Sequence, residues 1–136
     1  MAEDAVKIIK EKGMEDQAVL ISLKYEILDY IEQNYPEMLT GYLSFVSLGQ
    51  IEDTPFDFLA LEEEISNDET IAAIHNKGKL VMVWTVNDEE DLYYFMTTDA
   101  DAVITDSVKL AAEVQEKLSN RSTLEIVLQK ALSTIQ

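Results

Sequence analysis

Short apolar runs alternate with amphipathic stretches along this chain. In 2–12, Ala5, Val6, Ile8 and Ile9 recur at helical spacing, and Gly13 stops the pattern. Residues 18–22 (AVLIS) predict a strand. A helix is expected over 24–34, with Ile27, Leu28 and Ile31 on one face and Pro36 beyond its end. A second strand follows at 39–45 and a loop at 46–55, where Gly49 and Pro55 lie. The third strand, 57–61, runs into Glu62, Glu63 and Glu64. A helix over 68–77 has Asp68 as its expected cap and Gly78 as its stop. The fourth strand is 79–84 (KLVMVW). Asn87 then reads as the cap of a helix over 88–97, with Glu90 three residues on. A very short strand at 102–104 and helices over 107–118 and 122–134 complete the chain.

The five strands are continuous apolar runs and do not alternate. That is the mark of parallel strands covered by helices, so the expected fold class is α/β. In such folds the carboxyl ends of the strands form the binding face. Polar residues gather there: Ser22 to Lys24, Ser44, Glu62, Thr85 to Asn87, and Thr105 with Asp106. For Asn87 and Asp106, capping a helix accounts for the residue without any ligand.

Size and charge narrow the picture. A length of 136 residues suffices for one core. Ten basic residues against 27 acidic ones leave a net charge of −17, which disfavours nucleic acid and anionic membrane as partners. The absence of Cys excludes disulfides and thiolate chemistry. No apolar run is long enough to span a bilayer, and the acidic N-terminus does not read as a signal peptide.

Candidate chemistry is sparse. The one histidine, His75, falls near the end of a helix and away from the strand-end face. No HExxH, DxDxDG, GxGxxG, GxxxxGK[ST] or GxSxG pattern occurs. Glu62 to Glu64 offer oxygen ligands at a strand end, but a solvated helix start explains them as well. Tyr93 and Tyr94 are not interleaved with basic residues, which further weakens a nucleic-acid reading.

One combination is specific. VMVWTVND at 81–88, followed after a helix by DADAVITD at 99–106, closely resembles the end of the glycerophosphodiester phosphodiesterases, where the seventh and eighth strands of a TIM barrel carry V-x-V-W-T-V-N and G-V-D-G-I-I-T-D. VLISLKYE (19–26), PEMLTGYLSFVSLG (36–49) and DFLALEEE (57–64) look like the family's fourth, fifth and sixth strands. IAAIHNKGK (71–79) looks like the helix and turn before the seventh. The DF-x-x-L-E-E stretch is most similar to the branch often fused to an N-terminal membrane domain.

The resemblance implies a partial TIM barrel holding strands four to eight. Residues 1–118 would be the partial domain and 119–136 a helical extension. It implies metal-dependent hydrolysis of glycerophosphodiesters to glycerol 3-phosphate and an alcohol, with magnesium or calcium in the complete enzyme. The family's His-Arg-Gly motif, second histidine and metal-binding carboxylates have no counterpart here, so no catalytic residue, metal ligand or cofactor is assigned and this chain is expected to be inactive alone. Trp84 matches the tryptophan that lines the family's substrate channel. Lys24 and Glu62 stand at strand ends and are expected to face the same pocket. Asp99 and Ala102 replace the two glycines of the eighth-strand motif, and Ser107 and Val108 follow where the family has Pro.

The implied partner is a glycerophosphodiester, with no nucleic acid. An open sheet predicts a homodimer through that sheet. The location expected is cytoplasmic, or membrane-associated through a preceding region. A non-catalytic α/β interaction module on the same scaffold is the competing reading, and a doubly wound sheet enzyme is a third.

Overall fold

A computed structural model describes residues 1–44, 54–121 and 123–135. The loop expected at 46–55 therefore lies largely outside the described residues. Among the described residues, six α-helices and five strands follow one another: α1 (Ala2–Lys12), β1 (Val19–Ser22), α2 (Tyr25–Asn34), β2 (Leu39–Ser44), β3 (Phe58–Glu62), α3 (Asp68–His75), β4 (Leu80–Trp84), α4 (Glu89–Thr97), β5 (Ala102–Val103), α5 (Val108–Ser119) and α6 (Thr123–Ile135). Gly13 ends α1 in the left-handed region at φ 61°, where a side chain would be strained.

The strands form one parallel sheet in the order β1-β2-β3-β4-β5. Sequential order excludes a doubly wound sheet, in which the order reverses at a switch point. It is the order of strands in a barrel, here a partial one.

The two faces of the sheet differ. Leu59, Leu61, Val81 and Val83 form the main core with Ile71 and Ile74 of α3, Leu92 and Phe95 of α4, and Ala111 and Val114 of α5. A second cluster joins Val6 of α1, Ile31 of α2 and Met38, with Leu20 packed against it. Alternation turns Phe58, Ala60 and Glu62, with Leu80, Met82 and Trp84, to the opposite face. There Ile21 is 43% and Leu80 40% exposed. Ala60 and Met82 of the same face are buried, and among the described residues neither core cluster includes a residue of that face. Side chains crowd together there around Gly41. A Cβ on Gly41 would meet Ile21 Cγ2 at 2.8 Å and the Phe58 Cβ at 3.3 Å.

Aspartates just ahead of two strands tie down the starts of their neighbours. Asp57 accepts the Thr40 amide at 2.9 Å, and Asp101 accepts the Val81 amide at 2.7 Å.

Two helix starts differ from the sequence expectation by one residue. Asn67, and not Asp68, caps α3 by accepting the Thr70 amide at 2.9 Å. Asp88, and not Asn87, caps α4 by accepting the amides of Glu90 and Asp91 at 2.9 and 3.1 Å. Asn67 and Asp88 both have extended backbone just ahead of their helices, which aims their side chains back at the first turn. No described helix is long and apolar enough to cross a membrane.

Candidate functional site

The carboxyl ends of β3 and β4 build the most developed part of the open face. Glu62 and Trp84 are register partners there, so their side chains stand next to each other on adjacent strands. The Trp84 indole donates from Nε1 to the Ala60 carbonyl at 3.1 Å. Ala60 is fully buried although it lies on the open side, as expected if the ring covers it. Trp84 is half-buried, and the peptide bond that follows it is cis. Trp84, Thr85, Glu62, Glu63 and Glu64 line a small cavity of about 210 Å³. Trp84 is thus a packing residue on one side and a cavity wall on the other.

Lys24 is not brought to this wall. It is exposed at the start of α2, beyond the edge strand β1, and its backbone amide donates to Ser22 Oγ at 3.0 Å. It follows β1, and β2 lies between that strand and the β3 that carries Glu62.

Asn87 does work that its sequence position did not reveal. Its Oδ1 accepts the Asp106 amide at 2.9 Å and the Thr105 hydroxyl at 3.2 Å, and its Nδ2 donates to Asp106 Oδ2 at 3.1 Å. Together with the Val86 amide on the Ile104 carbonyl at 3.0 Å, this locks the ends of β4 and β5 to each other. Long-range pairing of this kind leaves no local signal.

His75 lies at the opposite end of the sheet. Its Nε2 is 2.8 Å from Asp101 Oδ2, the oxygen that also accepts the Val81 amide. It braces the start of β4, far from the strand ends that carry Glu62 and Trp84.

The cavity wall carries excess negative charge. Burial, a hydrogen bond with Asp91, and the charges of Asp91, Asp88 and Glu64 push the Glu63 carboxyl up from 4.5 to about 7. The folded chain therefore holds this proton to higher pH than the unfolded chain does. Stability falls as pH rises from 4.5 to about 7 and stays lower above that. A shift of this size amounts to a few kcal/mol, but Glu63 is only half-buried and solvent screening leaves about 1 kcal/mol. Glu63→Gln is expected to raise the urea midpoint at pH 8 and to leave it unchanged at pH 4. Equal effects at the two pH values would contradict this account.

Among the described residues no group of three or more His, Asp or Glu side chains is placed to hold a metal ion. The divalent cation that the resemblance implies does not fit these residues. What the arrangement does offer is one wall of a channel: an aromatic face, a carboxylate beside it, and a polar rim.

Comparison with known proteins places this geometry. The sequence profile of the Glycerophosphoryl diester phosphodiesterase family matches residues 2–110. Among curated proteins none matches. A Silicibacter pomeroyi DSS-3 structure, assigned to the glycerophosphoryl diester phosphodiesterases, superposes with a TM-score of 0.77 at 23% identity, over 88% of this chain and 44% of that one. An Oleispira antarctica phosphodiesterase, solved with the product sn-glycerol-3-phosphate, gives 0.72 at 21% identity, over 85% and 49%. A Parabacteroides distasonis glycerophosphodiester phosphodiesterase gives 0.73 at 21% identity, over 88% and 50%. At these identities the likeness shows the fold. The chain spans about half the length of the structures it matches.

Proposed function

The chain belongs to the glycerophosphoryl diester phosphodiesterase family, and on that premise we propose that it supplies the C-terminal half of a catalytic barrel of that kind. The complete barrel would hydrolyse a glycerophosphodiester to glycerol 3-phosphate and an alcohol, with magnesium or calcium as the metal. The observation that carries this reading is the one-sided sheet. Five parallel strands in sequential order bear helices on one face, and on the other Ile21 and Leu80 are exposed. A closed barrel fills that face with its remaining strands.

In this reading β4 is the seventh strand of the barrel and β5 the eighth. Trp84 and Glu62 then stand side by side at the mouth of the channel. The indole gives the substrate a flat apolar wall, held in orientation by its bond to Ala60. Lys24 belongs to the rim of the same face on the far strand. The acid and base, and the ligands of any metal, come from the other half. The sn-glycerol-3-phosphate bound by the Oleispira protein is the product expected of this reaction.

The test is release of glycerol 3-phosphate from glycerophosphocholine with magnesium or calcium. The chain alone is expected to give none, and turnover by the pure polypeptide would overturn the reading. A chimera with strands one to three of the Silicibacter protein fused ahead of Met1 is expected to turn over. In it, Trp84→Ala should lower kcat/KM roughly tenfold or more, the scale of one lost apolar wall contact. A folded, metal-loaded chimera without activity would count equally against it.

A further inference from the structure

α6 is seated with its polar side inward. Arg121, just ahead of it, stacks on the Tyr93 ring at 5.2 Å and donates to the Tyr93 hydroxyl at 2.9 Å and to Gln129 Oε1 of α6. Lys130 of α6 reaches Asp68 at 3.3 Å. Gln129, Lys130 and Ser133 line a cavity of about 580 Å³ shared with α4 and α5. No residue of α6 is buried.

Ile126 is half-buried on that inward side, and most of the other apolar side chains of α6 point away from it, Leu128 and Leu132 bordering a groove with Glu90. Leu124, Leu128, Ala131 and Ile135 follow one another at steps of four, three and four residues, flanked by Val127 and Leu132. That is the spacing of a seam that receives a second helix, and Ala131 allows close approach. Leu124 is 68%, Leu128 55% and Ile135 81% exposed.

We propose that this seam is a homodimer interface, in which α6 packs against α6 of a second copy. Area and charge both favour this occupant. At roughly 100 Å² per exposed aliphatic side chain, five from each copy remove on the order of 1,000 Å² from water, the lower bound for a specific interface. The chain carries −17, yet α6 holds one Glu and one Lys and is neutral. Glu90 and Glu125 border one side of the seam, but the seam's own side chains are aliphatic and offer a basic partner no ion pair, and an anionic bilayer is repelled by the chain as a whole. A second seam offers the matching uncharged apolar surface. The proposal stands apart from the phosphodiesterase reading, because α6 lies beyond the residues that match the family.

Sedimentation equilibrium of the full chain tests it. The wild type is expected to dimerise in the micromolar range, and more tightly in 0.5 M salt than at low salt, because screening relieves the repulsion between two acidic chains. Leu128→Glu with Ile135→Glu should weaken the dimer at least tenfold and leave the urea midpoint unchanged when unfolding is followed well below the dimer Kd, since both positions are exposed in the single chain. The chain has no native cysteine, so a Leu128→Cys variant should oxidise to a covalent dimer. A wild-type monomer at 0.5 mM would overturn the proposal. So would a dimer that survives both Glu substitutions, which would point to the open sheet, or a monomer that binds phosphatidylcholine vesicles instead.

Discussion

Leu61→Ala is expected to destabilise the fold by about 2–5 kcal/mol and to lower the urea midpoint by about 1–2 M. Leu61 is fully buried on the helix-covered face of β3. Its register partners are Ser44 and Val83, so strands on both sides hold its backbone in place. The helices α3, α4 and α5 close over it with Ile71, Ile74, Leu92 and Val114. A site fixed from every direction cannot collapse into the space a truncated side chain leaves, and the cavity cost adds to the lost transfer energy. Total stability of a domain is only about 5–15 kcal/mol, so this one change removes a large share of it. Leu80→Ala on the open face is the control. Leu80 is 40% exposed, and its loss is expected to cost under about 1 kcal/mol. Equal losses at the two positions would mean that the open face is covered in solution.

Asp101→Ala is expected to cost about 2–3 kcal/mol and to speed hydrogen exchange of the Val81 amide. Asp101 Oδ2 accepts that amide at 2.7 Å and faces His75 Nε2 at 2.8 Å. Val81 is fully buried, so the alanine removes the acceptor of a buried backbone donor. An orphaned buried donor costs about 1–3 kcal/mol, and the lost contact to His75 adds to it. Asp101→Asn keeps an acceptor for Val81 and should recover much of the loss. A change below about 0.5 kcal/mol for the alanine variant would show that the amide is satisfied in another way. The contact also gives Asp101, third residue of the DADAVITD motif, a bracing role at the start of β4.

Much of the fold was legible because its strands and helices are local patterns. All five strands and all six helices fall within about two residues of the expected ranges. Continuous apolar runs announced a parallel sheet, and Val6, Leu28, Ile31, Ile71 and Ile74 of the helix stripes are buried, while Ile8 and Ile27, expected on the same stripes, lie at their edges and are exposed. The candidate site was legible only in part. Trp84 and Glu62 meet on the open face. Lys24, at a strand end of the same polar character, stands two strands away. The strand-end pattern says that a residue is near the face and not which strand lies beside it. The caps failed for a similar reason. Asn67 and Asp68, or Asn87 and Asp88, are equally good capping types. The choice falls to backbone dihedrals, and for Asn87 the clamp on Thr105 and Asp106 takes up its side chain.

The sequence by itself determined the family, the order of elements, the acidity and the lack of thiol chemistry, because these are properties of composition or of near neighbours along the chain. Only the tertiary structure decided that the strands lie in sequential order, that Ile21 and Leu80 on the face away from the helices are exposed, and that Trp84 rests on Ala60 beside Glu62. It alone showed that α6 turns its polar side inward. Each of these depends on which distant segments pack together, and the energy that selects among packings is summed over the whole core and written at no single position.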